Sequence, residues 1–166
     1  TGKLSIEPGY GAEFTKLKAD ATAAYLEVMG QYAPFPAALR AAMPRDALFV
    51  RDITLNNSTW GNRIFPLYGP RDSVYPVGAA IGPGSALGIG AAIAASDGRK
   101  TVAMCGDGGF NLGLAELPTA VQEGADITFL VMNDGGYGVI GHIQDAMYGG
   151  RKFFGDVRGV NLEVMA

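Results

Sequence analysis

The chain has 166 residues, of which 48% are hydrophobic and 25 are glycine, so it can form one domain with a sizeable core. Its formal net charge of −3 gives no basic footprint, and we expect no nucleic-acid partner. The longest apolar stretch, 77–95, is interrupted by glycines and a proline, which predicts core packing and no membrane association. A single cysteine, Cys105, and a first segment without an apolar run predict a cytoplasmic protein.

The first half of the chain is predicted to be mainly helical around one strand. The predicted bounds are a linker over 1–11, helices over 14–29 and 36–43, a strand over 47–53, a short helix over 60–65 and a loop over 69–75. The strand ends in Thr54-Leu-Asn-Asn-Ser-Thr59, whose polar residues are typical of turns and helix caps. We therefore expect the domain proper to cover residues 12–166.

The second half alternates regularly between helices and strands. The predicted elements are a helix over 84–96, a turn at Asp97-Gly98, a strand over 101–105, a helix over 112–123 and a strand over 127–132. Strands that alternate with helices indicate an α/β fold with a doubly wound parallel sheet and helices on both faces.

Two acidic residues follow the two strongest strands. Asp107 comes directly after the strand that ends at Cys105 and Gly106, and Asp134 comes directly after the strand that ends at Met132. Glycines surround both. If the strands are parallel neighbours, both carboxylates lie at the carboxyl edge of the sheet, where open α/β sheets bind ligands.

The chemistry of such an edge can be worked out from its residue types. Two carboxylates in one crevice repel each other unless a cation lies between them, and Mg²⁺ takes oxygen ligands that it shares with phosphates. Glycines let backbone N–H groups approach phosphate oxygens, and helices that start after the strands direct their positive ends to the same place. These residues predict a metal-bridged diphosphate site.

The same residues resemble the signature of the thiamine-diphosphate-dependent enzymes. Gly106-Asp107-Gly108 and Asn133-Asp134-Gly135-Gly136-Tyr137 resemble its two halves at the family's spacing. Glu116-Leu-Pro-Thr-Ala-Val121 resembles a helix of acetolactate synthases and related decarboxylases, and the glycine-rich 79–90 segment resembles another family stretch. The resemblance covers roughly residues 38–160 and implies the thiamine diphosphate-binding fold.

The resemblance also implies roles for individual residues. Asp107, Asp134 and the carbonyl of Gly136 would bind Mg²⁺, although the family usually has asparagine where Asp134 stands. Ile81 would hold the cofactor bent, and the carbonyl of Ala79 would accept a hydrogen bond from its 4′-amino group. The implied cofactor-binding residues are Thr54, Asn56, Asn57, Ala79, Ile81, Gly106, Asp107, Gly108, Gly109, Asp134, Gly136 and Tyr137.

The implied function is Mg²⁺-dependent binding of thiamine diphosphate in a 2-oxo acid decarboxylase or carboligase similar to acetolactate synthase. Such enzymes take a glutamate from a separate pyrimidine-binding domain, which this chain does not carry. We expect the domain to continue past residue 166, the pyrimidine-binding and middle domains to lie elsewhere, and the full enzyme to be a homodimer or tetramer. This chain alone is not expected to be catalytically competent, and its catalytic residues are not predicted.

The sequence is compatible with two other functions. A non-catalytic or regulatory cofactor-binding module would keep the same signature without turnover. A nicotinamide-dependent dehydrogenase would use Gly82, Gly84 and Gly88 as a loose dinucleotide fingerprint, but that motif needs a strand immediately before it. His142 is the only histidine and follows the second signature turn, where a surface role explains it as well as a catalytic one. Ile140 is apolar where pyruvate decarboxylases carry an acid, which favours a synthase, a lyase or an aryl-substrate decarboxylase.

Overall fold

The computed structural model describes residues 5–95 and 97–165. Within them lies a four-stranded, all-parallel sheet with the strand order β2-β1-β3-β4. The strands are β1 Leu48–Arg51, β2 Ser73–Val74, β3 Thr101–Gly106 and β4 Ile127–Met132. The helices are α1 Tyr10–Met29, α2 Phe35–Ala42, α3 Pro83–Ala94, α4 Asp107–Leu112, α5 Leu117–Gln122, α6 Gly138–Met147 and α7 Leu162–Met165, with a π-helical turn over Asn57–Gly61 and 3-10 turns over Gly30–Tyr32 and Leu114–Glu116.

The strand register brings the two signature turns together. In the β3–β4 ladder, Thr101 lies beside Ile127 and Gly106 lies beside Met132, so both strands end at the same level. Asp107 begins a helix from that point, while β4 continues into Asn133 and Asp134. The prediction that these strands are parallel neighbours is confirmed.

Helices cover both faces of the sheet, as the alternation of the strand side chains requires. One face carries an aromatic cluster. The ring centroid of Phe49 lies 4.2 Å from that of Phe65 and 6.3 Å from that of Trp60. On the other face α3 packs closely, because a Cβ built on Gly88 would lie only 2.7 Å from the Cβ of Ala103. A larger residue at 88 would push the helix off the sheet.

Several predicted boundaries differ from the observed ones. Helix α1 starts at Tyr10, so the predicted 1–11 linker is wrong at its last two residues, while residues 1–4 lie outside the described part. The predicted 69–75 loop contains β2. The predicted 112–123 helix is observed as the 3-10 turn Leu114–Glu116 and α5 Leu117–Gln122, but helical structure starts earlier, at Asp107, and is interrupted at Gly113. Of the predicted 84–96 helix, Ser96 lies outside the described residues, and α3 ends at Ala94.

Within the described residues no helix is both long enough and apolar enough to cross a membrane. Helix α1 is the longest, and none of its 20 residues is buried. The packed part of the domain therefore consists of the sheet, α2 to α5 and the turns that join them at the carboxyl edge.

Candidate functional site

A cavity of about 490 Å³ opens at the carboxyl edge of the sheet. Its walls come from the segment after β1, the loop before α3 and the two signature turns. The lining residues are Ile53, Thr54, Leu55, Ser58, Ala79, Ile81, Gly106 to Gly109, Asp134 and Gly136 to Ile140. Ten of the twelve residues proposed from the sequence are therefore brought together here.

Asp107 and Asp134 both line this cavity, and their carboxyl groups lie close enough to affect each other's charge. Asp107 is only 7% exposed, whereas Asp134 lies on the exposed turn after β4. Burial raises the pKa of the Asp107 carboxyl, the N–H of Gly108 opposes that shift, and the negative charge of Asp134 raises the pKa further. The pair is thus an uncompensated negative site that a cation would stabilise.

Glycine is required around the two carboxylates because neighbouring side chains and backbone groups approach too closely. A Cβ on Gly108 would lie 2.5 Å from the ring of Tyr137, and a Cβ on Gly138 would overlap the Asp134 carboxylate. A Cβ on Gly136 would lie 2.5 Å from the carbonyl oxygen of Gly155. Because these glycines have no side chain, the backbone of both turns stays open towards the cavity.

Segment 78–82 contributes Ala79 and Ile81 to the cavity wall and has an unusual backbone conformation. Gly78 and Gly82 have φ values of 96° and 101°, and Ala79 has a φ of 59°, in the left-handed region that favours glycine. Ala79 and Ile81 line the cavity, and Ile81 is 39% exposed. An apolar side chain is thus held at the surface of the cavity by a strained loop.

Sequence analysis missed Asp52, which lies at the end of β1 and is completely buried. Its carboxylate accepts hydrogen bonds from the N–H of Gly82 at 2.9 and 3.1 Å and from the N–H of Ile53 at 2.8 Å. Burial raises its pKa, and the N–H groups of Gly82, Ile53 and Gly84 oppose the shift. The signal that could have found it is the one used for Asp107 and Asp134, an acid at a strand end.

Thr54 lines the cavity, but Asn56 and Asn57 do not. The side-chain oxygen of Asn56 accepts a hydrogen bond from the indole N–H of Trp60 at 2.9 Å. That of Asn57 accepts one from the buried guanidinium of Arg51 at 3.2 Å. Both asparagines are occupied in the fold of the π-helical turn, so the geometry does not favour their predicted contact with the cofactor.

His142 and Cys105 lie outside the cavity. His142 lines a smaller neighbouring cavity of about 310 Å³, together with Gln144 and Lys152. Cys105 is buried in β3, where burial above all, and then the charge of Asp52, raise the pKa of its thiol to about 12, against the opposing hydrogen bond of Ser85. A thiol with that pKa stays protonated and unreactive at neutral pH.

A cation at this edge would not be held by protein side chains alone. Among residues 5–95 and 97–165 there is no group of three or more His, Cys, Asp or Glu side chains placed to hold a metal ion. Two carboxylates and a backbone carbonyl would leave positions for water and phosphate oxygens, which is how Mg²⁺ is usually bound. The residues present therefore fit a Mg²⁺–diphosphate group.

Comparison with known proteins identifies the family. Residues 55–166 match the family described as thiamine pyrophosphate enzyme, C-terminal TPP binding domain. The chain belongs to this family. Its fold is therefore the thiamine diphosphate-binding fold, as predicted, and the dinucleotide fingerprint hypothesis is wrong, because β2 ends at Val74, well before Gly82.

Relatives of this thiamine diphosphate-binding chain include a decarboxylase and an acetolactate synthase. The probable 2-ketoarginine decarboxylase AruI of Pseudomonas aeruginosa is 32% identical over 140 residues, which cover 83% of this chain and 24% of that protein. The acetolactate synthase isozyme 1 large subunit of Escherichia coli is 29% identical, over 67% of this chain and 20% of that protein.

A solved structure agrees with these relatives. The thiamine diphosphate-dependent 4-hydroxybenzoylformate decarboxylase of Rhodococcus jostii RHA1 superposes with a TM-score of 0.69 and 26% identity, covering 78% of this chain and 25% of that one. The chain thus spans about a quarter or less of the length of these proteins.

Proposed function

We propose that this chain binds thiamine diphosphate through Mg²⁺ and serves as the diphosphate-binding part of a 2-oxo acid decarboxylase or carboligase. The observation that carries this proposal is the pairing of Asp107 and Asp134 at one glycine-rich edge, where the charge of Asp134 raises the pKa of Asp107. A buried carboxylate beside a second one is costly unless a cation compensates both.

Each side of the cavity has its own part in binding. The carboxylates of Asp107 and Asp134 and the carbonyl of Gly136 would hold Mg²⁺, and the N–H groups of Gly108 and Gly109 would bind the diphosphate. The backbone can approach because a Cβ on Gly108 would already meet Tyr137 at 2.5 Å. This side fixes the position of the charged end of the cofactor.

The other side would hold the organic part of the cofactor. Ile81 would support the bend between its two rings, and the carbonyl of Ala79 would accept a hydrogen bond from the aminopyrimidine. Bound thiamine diphosphate supplies the electron sink for breaking or forming a carbon–carbon bond next to a carbonyl group. The protein orients the rings and excludes water from them.

Part of the cavity wall is apolar, and we propose that the substrate lies against it. Leu55, Val139 and Ile140 line it without any acidic side chain among them. An apolar wall suits a 2-oxo acid with an apolar side chain, in a synthase, a lyase or an aryl-substrate decarboxylase. In the whole protein we propose that a pyrimidine-binding domain completes the site within a cytoplasmic homodimer or tetramer.

Calorimetric titration of thiamine diphosphate into the full-length protein, with and without Mg²⁺, tests this function. We expect binding that depends on Mg²⁺, together with release of carbon dioxide from a 2-oxo acid. Mg²⁺-dependent binding without turnover of any 2-oxo acid would favour the non-catalytic module. Absence of binding in both titrations would refute the proposed function.

A further inference from the structure

Asp52 is a third carboxylate at the carboxyl edge, and neither the metal pair nor the diphosphate needs it. It is completely buried, whereas Asp107 keeps 7% exposure. No lysine, arginine or histidine side chain forms a salt bridge with it among residues 5–95 and 97–165. Its charge is instead balanced by backbone N–H groups, of which Ile53 supplies one from its own strand end.

A second N–H group comes from Gly82, which directly precedes α3. It donates to both carboxylate oxygens of Asp52, at 2.9 and 3.1 Å, across a separation of 30 positions. A carboxylate at the first turn of a helix also interacts favourably with the helix dipole. Asp52 therefore fixes the beginning of α3 onto the end of β1.

The segment just before Gly82 depends on this attachment. Within the described residues, no hydrogen bond joins 76–81 to the rest of the protein. The same segment holds Ala79 at a φ of 59°, a conformation that persists only when the surroundings impose it. The Gly82–Asp52 hydrogen bonds are the nearest polar contacts that can impose it.

Asp52 also contacts the diphosphate side of the cavity. A Cβ on Gly109 would overlap an oxygen of the Asp52 carboxylate and would lie 3.4 Å from the nitrogen of Gly82. A Cβ on Gly84 would lie 2.5 Å from the Cβ of Asp52. The carboxylate is thus packed between the signature turn of β3 and the start of α3.

We propose that Asp52 is a positioning residue that sets the 78–82 loop, with Ala79 and Ile81, at a fixed distance from the diphosphate-binding turn. Its role rests on the proposed cofactor function and concerns the ring end of thiamine diphosphate alone. Loss of Asp52 should release the loop while leaving Asp107, Asp134 and the glycines in place.

The first test compares two ligands on the full-length Asp52→Asn variant. Asparagine keeps one acceptor oxygen but replaces the other by an NH₂ donor that faces the N–H groups, so the attachment of the loop is weakened with little change in volume. In the presence of Mg²⁺ we expect about tenfold or greater loss of affinity for thiamine diphosphate, and less than about threefold loss for inorganic diphosphate. Equal losses for both ligands would indicate a merely structural role and overturn the proposal, as would no loss for either.

Asp72→Asn is the matched control. Asp72 is partly buried and accepts a hydrogen bond from Arg99 at 2.7 Å, and it lies at the opposite end of the sheet, just before β2. Its variant should weaken the fold without separating the two ligands. If Asp72→Asn lost affinity for thiamine diphosphate but not for inorganic diphosphate, to the same extent as Asp52→Asn, a specific role for Asp52 would be overturned.

The second test needs neither cofactor nor a folded variant. Amide hydrogen exchange of the unaltered protein should show the Gly82 N–H protected at least about tenfold more than the Gly78 N–H of the same loop. Equal exchange rates at Gly82 and Gly78 would show that the Gly82 N–H is not held by the Asp52 carboxylate, and would overturn the proposal. If the unaltered protein binds no thiamine diphosphate, the proposed function fails and this role fails with it, whereas fast Gly82 exchange with intact binding overturns the role alone.

Discussion

Replacing Asp107 by alanine is the perturbation with the largest expected effect on cofactor binding. Asp107 is the more buried of the two acids, and its charge would be one of two that the protein offers to Mg²⁺. Removing one member of a buried, compensated charge pair costs about 3–5 kcal/mol, which corresponds to roughly 100-fold to 4,000-fold in affinity. We therefore expect Mg²⁺-dependent retention of thiamine diphosphate by Asp107→Ala to fall below detection at micromolar protein concentrations.

The ligand-free protein should respond differently to the same change. Without a cation, Asp107 is disfavoured by burial and by the nearby charge of Asp134, so its loss should not lower the free energy of unfolding by as much as the binding falls. Urea denaturation of the free protein and calorimetry of the complex separate the two effects.

Asp126→Ala provides the control for Asp107→Ala. Asp126 pairs with Lys100 at the other end of the sheet, and its side chain is 65% exposed. Asp126→Ala should change neither the affinity for thiamine diphosphate nor the free energy of unfolding measurably, because exposed ion pairs contribute little to stability. Retention of the cofactor by Asp107→Ala at the level of the unaltered protein would refute the metal-ligand assignment.

Three further changes have defined outcomes. Asp134→Asn should keep Mg²⁺-dependent binding, since an oxygen ligand remains, and complete loss of binding in the same titration would contradict the register of the second signature turn. Gly108→Ala should lower the free energy of unfolding in urea by about 1–3 kcal/mol, because its Cβ would lie 2.5 Å from the Tyr137 ring, whereas Gly90→Ala, with no atom within 4 Å, should not. The raised pKa of Asp52 means that the folded state holds a proton more tightly than the unfolded one, so stability should fall as pH rises from about 4 through that raised pKa. Asp52→Asn should reduce this slope in denaturation curves above about pH 4, while Asp107, whose pKa is also raised, keeps its own contribution. An unchanged slope would assign it to another group.

The signature edge was predictable because its determinants are local. A continuous apolar run followed by Gly106 and Asp107, and a second one followed by Asn133 and Asp134, define two buried strands with acids at their ends. The sequence predicts that the two strands pair in parallel but not their register. In the structure, Gly106 pairs with Met132, so the two acids lie at the same end of the sheet.

Other features depend on contacts between distant parts of the chain. Asp52 is also an acid at a strand end, but its partner Gly82 lies 30 positions away, so its immediate sequence does not show which segment it holds. The first turn of α4 contains Gly108 and Gly109, which disfavour a helix by propensity, yet tertiary packing at the sheet edge imposes one. The resemblance implies a cofactor contact for Asn56, whereas its side-chain oxygen accepts a hydrogen bond from Trp60 instead.

The most direct measurement is the position of Mn²⁺ in crystals of the full-length protein grown with thiamine diphosphate. Mn²⁺ takes the same oxygen ligands as Mg²⁺ and can be located by its anomalous scattering. We expect one peak in contact with the carboxylates of Asp107 and Asp134 and the carbonyl of Gly136, beside the diphosphate. A bound cofactor without a peak there, or a peak bound to other residues, would contradict the proposed site.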